Sequence, residues 1–190
     1  NKMNIKDLKR DVFGFKNLVD LRAELPAFAK DIKLNLSSVL RVAPESGLSE
    51  HQIAGIALAS AYTTRQHDVI AALEGEFKDQ FDDTQLAALK SAATIMGMNN
   101  IYYRFVHLVE DAEYQRMPAG LRMNVIGSPG IDKIDFELYS LAVSAINGCG
   151  MCIEAHVAQV EKGGVSKAGV QHSIKIAAVV NAAAQALEII

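Results

Sequence analysis

Apolar residues recur along this chain at intervals of three and four and almost never at every second position, so it can bury a continuous face only by folding into helices. Leu25, Ala29, Ile32, Leu36, Val39 and Leu40 form one such stripe, with Lys30, Asp31 and Lys33 facing away. Pro44 and Gly47 interrupt it. Ser49 followed by Gln52 has the form of a capping box that opens a helix from Glu50 to about Tyr62. The helical pattern resumes from Thr64 to Glu74, from Gln85 to Gly97 behind Asp83 or Thr84 as cap, and from Asn99 to Ala112. Met117 to Lys133 carries Pro118, Gly120, Gly127, Pro129 and Gly130 and reads as a surface loop joining two halves. Beyond it, Asp135 starts a helix that Asn147-Gly148 breaks. Cys149 to Lys162 forms the next, Gly163-Gly164 ends that one, and Ser166 caps an alanine-rich helix from Ala168 to Leu187. The expected fold is all-α.

The 190 residues, half of them hydrophobic, suit one domain with a real core. Lys and Arg number 19 against 22 Asp and Glu, a net charge of -3 that offers no excess of cations to a phosphate backbone, so no nucleic-acid partner is expected. The most apolar tract, Ile174 to Ile190, is interrupted by Lys175, Asn181, Gln185 and Glu188, so no membrane span is expected either. The opening Asn1-Lys2-Met3 lacks the basic-then-apolar layout of a secretory leader, and the expected location is cytoplasmic. Short matches suggest an internally duplicated helical unit. Leu58 to Ala61 aligns with Ala142 to Ala145 at an offset of 84, and Leu89 to Ala93 with Ile174 to Ala178 at 85. On that reading residues 1–20 are an N-terminal extension, 21–116 a scaffold half and 134–190 a catalytic half.

The two cysteines of the chain, Cys149 and Cys152, form a single CxxC. A disulfide closing so short a loop restricts the unfolded chain by roughly 2 kcal/mol and is a poor staple, which favours redox chemistry or metal binding over structure. Cys149, Cys152 and His156 fall at i, i+3 and i+7 and share one helix face. His156 lies one turn beyond Cys152, and Cys149 sits at the helix start, where unpaired N–H groups favour a thiolate. If Asn147-Gly148 reverses the chain, Glu137 on the incoming helix falls opposite His156 on the outgoing one. Glu137, His156, Cys152 and Cys149 would then run from the interior towards the surface. That is the arrangement of nucleophile, base and orienting third group. The remaining histidines, His51, His67, His107 and His172, have no partners by spacing and are expected at the surface. Met96, Met98 and Met123 are expected to pack, and Tyr102-Tyr103 to sit in the core or an interface.

Glu137, eleven intervening residues and Cys149-x-x-Cys152-x-x-x-His156 together resemble the signature of the alkylhydroperoxidase D (AhpD) family in the carboxymuconolactone decarboxylase-like superfamily. Lys30 to Ser38, Ile95 to Asn100, Gly120 to Asn124, Phe136 to Leu138 and Ser144 to Cys149 are similar to that family too. The first 20 residues or so fall outside the resemblance. It implies an all-helical homotrimer that reduces organic hydroperoxides. It also implies transfer of electrons from dihydrolipoamide, carried on a lipoylated acyltransferase, to a peroxiredoxin (AhpC), with no bound cofactor. By the same resemblance Cys152 attacks the peroxide and becomes a sulfenic acid. Cys149 resolves it to a disulfide and protonates the leaving group, and His156 and Glu137 move the proton. Cys149, at the bend, is expected to be the sulfur that meets an external thiol. One position departs from the family pattern: Met151 stands where histidine is frequent, which removes a second imidazole.

Three other readings compete. A zinc site would use Cys149, Cys152 and His156 with Glu137 or water as the fourth ligand. A decarboxylase or lactone enzyme of the same superfamily would work by acid–base chemistry and keep its activity without the thiols. A peroxide sensor would react once and not turn over.

Overall fold

The computed structural model describes residues 15–190, so most of the expected N-terminal extension lies outside the described residues. The described chain is helical, as the apolar spacing predicts, and no strand occurs among the described residues. The helices in chain order are α1 (Leu18–Glu24), α2 (Lys30–Val39), α3 (Glu50–Thr64), α4 (His67–Phe77) and α5 (Asp83–Leu108), then α6 (Ala112–Arg116), α7 (Lys133–Asn147), α8 (Gly150–Lys162) and α9 (Lys167–Glu188). From α3 onward each opens on a side chain that accepts from the first-turn N–H groups: Ser49, Gln66, Asp82, Asp111, Asp132, Cys149 and Ser166. Ser49 with Gln52, and Asp82 with Gln85, form complete capping boxes.

α3 and α7 are the two central helices. Residues Ile53 to Ala61 of α3 and Phe136 to Ser144 of α7 are buried without interruption. A helix covered on every side needs neighbours on every side. α7 accordingly packs against α3, α5, α8 and α9, and α3 against α4, α5, α7 and α9. Their approach is close where Gly55 of α3 meets the ring of Tyr139 on α7. Tyr139 is among the largest fully buried side chains, and this burial, with Asp135 and Asp132 adding to it, holds its hydroxyl above the usual phenol range.

The two halves carry matching hairpins. α3 and α7 are each 15 residues long and each ends on a left-handed residue, Arg65 (φ 59°) and Gly148 (φ 72°). Each is followed at once by the N-cap of the next helix, Gln66 and Cys149, whose side chains accept from the N–H groups of Val69 and Cys152. The hairpin offset is therefore 83. The positions matching Cys149 and Cys152 in the first half are Gln66 and Val69, where the sequence offset of 84 gives Arg65 and Asp68, because short alanine-rich matches slide by one residue without penalty.

Two segment boundaries also differ from expectation. α5 is one 26-residue helix running through Gly97, where the sequence suggested two. A glycine inside a helix costs about 1 kcal/mol, and the partners found by the amides that follow it outweigh that. Its cap is Asp82, and it ends before Glu110, a non-glycine residue with φ 51°. The loop after α6 is not wholly a surface connection, because Met123 and Ile126 turn inward to a cavity described below.

Two of the helical glycines, Gly55 and Gly97, make opposite predictions. A Cβ at Gly55 collides with the buried Tyr139 ring, so Gly55→Ala should lower stability by about 1–3 kcal/mol. A Cβ at Gly97 meets nothing within 4 Å, so Gly97→Ala should raise stability by about 0.5–1 kcal/mol. Urea unfolding of the two variants beside the parent chain measures both.

Candidate active site

The site begins at the bend between α7 and α8, which contains only Gly148 and Cys149. Gly148 takes the left-handed conformation that favours glycine, and its N–H donates to the carbonyl oxygens of Ser144 (2.9 Å) and Ala145 (3.3 Å). Cys149 follows as N-cap of α8, and its Sγ accepts from the Cys152 N–H at 3.2 Å. The two cysteines are joined in a disulfide.

A polar network clamps this bend to α5. The buried Asn100 Nδ2 donates to Ser144 Oγ at 2.8 Å, and its Oδ1 accepts from Asn147 Nδ2 at 3.0 Å. Arg104, one turn further on, donates from Nη1 to the Asn147 carbonyl at 2.6 Å, satisfying an orphan carbonyl at the end of α7. These contacts fold the bend inward. As a result Cys149 is fully buried and Cys152 keeps 7% exposure. The order of exposure expected from sequence is thus reversed for the two sulfurs. The bend lies under α5 because its polar groups need partners, and Cys152, one turn inside, lines a cavity.

The reversal also brings Glu137 to His156. Glu137 Oε2 and His156 Nδ1 lie 2.6 Å apart with both residues buried, as the hairpin geometry predicts. A carboxylate at that nitrogen holds a hydrogen on Nδ1, which leaves Nε2 of the neutral ring as an acceptor. Nε2 is itself buried and has no hydrogen-bond partner among the described residues.

Cys152, His156 and Glu137 line one cavity of about 440 Å³, and Cys149 does not. The other walls are mainly apolar and include Met96, Tyr103, Met123, Ile126 and Met151. Met96, Met123 and Tyr103, expected only to pack, are therefore wall residues of the site. Asn99 completes the wall next to Cys152, whose Sγ lies 3.9 Å from the Asn99 carbonyl oxygen. Sequence reasoning missed Asn99, Asn100, Ser144 and Arg104 as site residues. The available signal was two adjacent amides in an apolar helical run, read as the start of a new helix. Of the other histidines, His51 stacks on Phe81 at 4.5 Å and His172 Nε2 pairs with the Val39 carbonyl at 2.9 Å, so neither is a bare surface residue. Among the described residues, no group of three or more His, Cys, Asp or Glu side chains is arranged to hold a metal ion.

Fold and site together define a class, all-helical proteins that present a CxxC disulfide at a helix start beside a buried Glu–His pair. Residues 112–190 match the Carboxymuconolactone decarboxylase family. Alkyl hydroperoxide reductase AhpD of Coxiella burnetii is 60% identical over 162 residues, covering 85% of this chain and 92% of that protein. Relatives of the same name from Gluconacetobacter diazotrophicus and Azorhizobium caulinodans are 54% and 52% identical over 168 residues, in each case 88% of this chain and 91% of the relative. With relatives this similar over almost the whole described chain, the protein belongs to the AhpD family.

The clamp on the bend has a measurable cost when broken. Asn100→Ala leaves the buried Ser144 hydroxyl and the Asn147 amide without their partners and should destabilise the fold by about 1–3 kcal/mol, read from the urea midpoint of the purified variant.

Proposed function

We propose that the protein is an antioxidant hydroperoxide reductase that cycles Cys149 and Cys152 between dithiol and disulfide. The observation that carries the reading is the cavity that admits a ligand to Cys152 while His156, backed by Glu137, shares its wall. The relatives' name, alkyl hydroperoxide reductase, supports the activity. Apolar walls of Met96, Met123, Ile126 and Met151 suit an organic hydroperoxide, whose alkyl group gains by leaving water.

In the reduced protein, His156 Nε2 takes the proton of the Cys152 thiol. The thiolate attacks the terminal oxygen of the hydroperoxide, the O–O bond breaks, Cys152 becomes a sulfenic acid, and the alkoxide takes the proton back from Nε2 and leaves as an alcohol. Cys149 then attacks the sulfenic sulfur, water departs, and the disulfide forms. Cys149 lies outside the cavity, so the role of acid towards the alkoxide goes to His156 rather than to Cys149. Two thiols of a reductant return the pair to the dithiol. Dihydrolipoamide on a lipoylated acyltransferase is the proposed donor, and a peroxiredoxin of the AhpC type a further acceptor. Cys152 is the cysteine that lines the cavity, so an external thiol entering there meets that one first and expels Cys149 as a thiolate at the α8 N-terminus.

No helix among the described residues is long and apolar enough to cross a membrane. The proposed setting is the cytoplasm, where thiol pairs are kept reducible. The proposed assembly is a homotrimer. Exposed Ile101, Phe105, Leu108, Val109, Tyr114 and Met117 at the end of α5 and through α6 supply an apolar face suited to a second copy.

Anaerobic thiol counting tests the chemistry. One equivalent of cumene hydroperoxide should remove two thiols per reduced chain, and dihydrolipoamide should restore both. Retention of both thiols, or stoichiometric zinc bound to them, ends the proposal. His156→Ala should slow the reaction of Cys152 with an alkylating agent at neutral pH and move its pH profile upward, because the thiolate loses its proton acceptor. An unchanged profile removes the imidazole from the mechanism.

A further inference from the structure

The cavity wall holds two buried polar atoms with no hydrogen-bond partner, and only one of them belongs to the Glu–His pair. The other is Asn99 Oδ1. Asn99 is 4% exposed and His156 8%, so neither atom is hydrated as a surface group would be. A buried carbonyl without a donor is costly, and a ligand that brings a donor relieves that cost. The side chain is held in place. Its Nδ2 donates to Met123 Sδ at 3.8 Å, across the cavity wall from α5 to the loop before α7, and its own backbone carbonyl lies 3.9 Å from Cys152 Sγ. The amide nitrogen is thus engaged and the amide oxygen has no partner, on a residue whose backbone carbonyl adjoins the reacting sulfur.

From these atoms we infer that Asn99 is a substrate-binding residue that orients the hydroperoxy group for attack by Cys152. A hydroperoxide R–O–O–H has one donor, on its terminal oxygen, and an acceptor in the inner oxygen. The terminal O–H donates to Asn99 Oδ1. The inner oxygen accepts from His156 Nε2 once that atom carries the proton taken from Cys152. The two contacts place the terminal oxygen in front of the Cys152 sulfur and the inner oxygen, which leaves as alkoxide, against the acid that protonates it. The electron pair of the broken O–O bond departs with the inner oxygen, and the terminal O–H stays on sulfur as the sulfenic acid. The alkyl group then extends along Met96, Met123 and Ile126. The assignment rests on the reductase reading and adds to it a residue that recognises the O–H of the oxidant rather than activating the thiol. Asn99→Ala should therefore affect peroxide and other thiol reagents differently.

The test compares two reagents on the reduced full chain. Cumene hydroperoxide can donate to Asn99, whereas methyl methanethiosulfonate reads thiolate reactivity with no O–H or N–H to offer. Asn99→Ala should lower the second-order rate constant with the hydroperoxide by about tenfold, the loss of one hydrogen bond to a reacting group, and leave the thiosulfonate rate within twofold of the parent. Met123→Leu, which releases the amide but leaves it in the wall, should give a smaller fall with the same split. Equal slowing with both reagents assigns Asn99 to thiol activation or packing and overturns the inference, as does an unchanged hydroperoxide rate in both variants. If the parent chain itself fails to lose its thiols to the hydroperoxide, the reductase reading falls, and the Asn99 assignment with it. A reactive parent with unaffected variants removes the Asn99 assignment alone.

Discussion

A carboxylate removed from water must find a partner, and in this protein that requirement is met across the turn at Gly148. Glu137 lies on one of the two central helices of the fold, where an unpaired charge would cost several kcal/mol. Its partner is His156 Nδ1, on the helix that follows. The pairing is possible only because the chain reverses within two residues, so that α7 and α8 run side by side. The rest of the site follows from it. The imidazole is fixed in tautomer and orientation, its second nitrogen is left for chemistry, and Cys152, one turn back along the same face, shares the cavity with it.

The two hairpins show how one architecture carries two roles. Where α8 has Cys149, Cys152 and His156, the matching positions of α4 are Gln66, Val69 and Leu73, at the hairpin offset of 83. Gln66 caps its helix through an amide as Cys149 does through sulfur, so the local geometry does not require a thiol. The partner helices differ in the same sense. α5 and α9 open on Asp82 and Ser166, which places Ala183 and Ala184 of α9 where α5 has Asn99 and Asn100. Alanine gives close packing, and both are buried, but it has nothing to clamp a bend or meet a ligand. The first hairpin is held by its cap and its apolar contacts. The second adds a layer of polar groups from α5 at Asn99 and Asn100.

Much of the candidate site's face was legible in the order of residues. Cys149, Cys152 and His156 share a helix face by spacing alone, and the Asn147-Gly148 break puts Glu137 opposite His156 by simple counting. What counting missed is instructive. It took Gly97 as a break and Asn99 as a fresh start, because glycine and asparagine disfavour helix interiors locally. The penalty is small beside the buried hydrogen bonds that the next residue, Asn100, makes with Ser144 and Asn147, residues more than forty positions away. It also placed Cys149 nearest the surface, since bends usually lie there. Here the bend is covered by α5.

The sequence by itself determined the helical character, the helix starts at Ser49, Cys149 and Ser166, and the alignment of two sulfurs, an imidazole and a carboxylate around one turn. All of these depend on spacing within a few residues or across a single reversal, which the chain order states directly. Only the tertiary structure decided which sulfur faces the cavity, which amide is left without a partner, and which methionines form the walls. These follow from how α5 and the loop after α6 lie over the second hairpin. Such long-range packing is set by the burial of many side chains at once, and no local pattern records it.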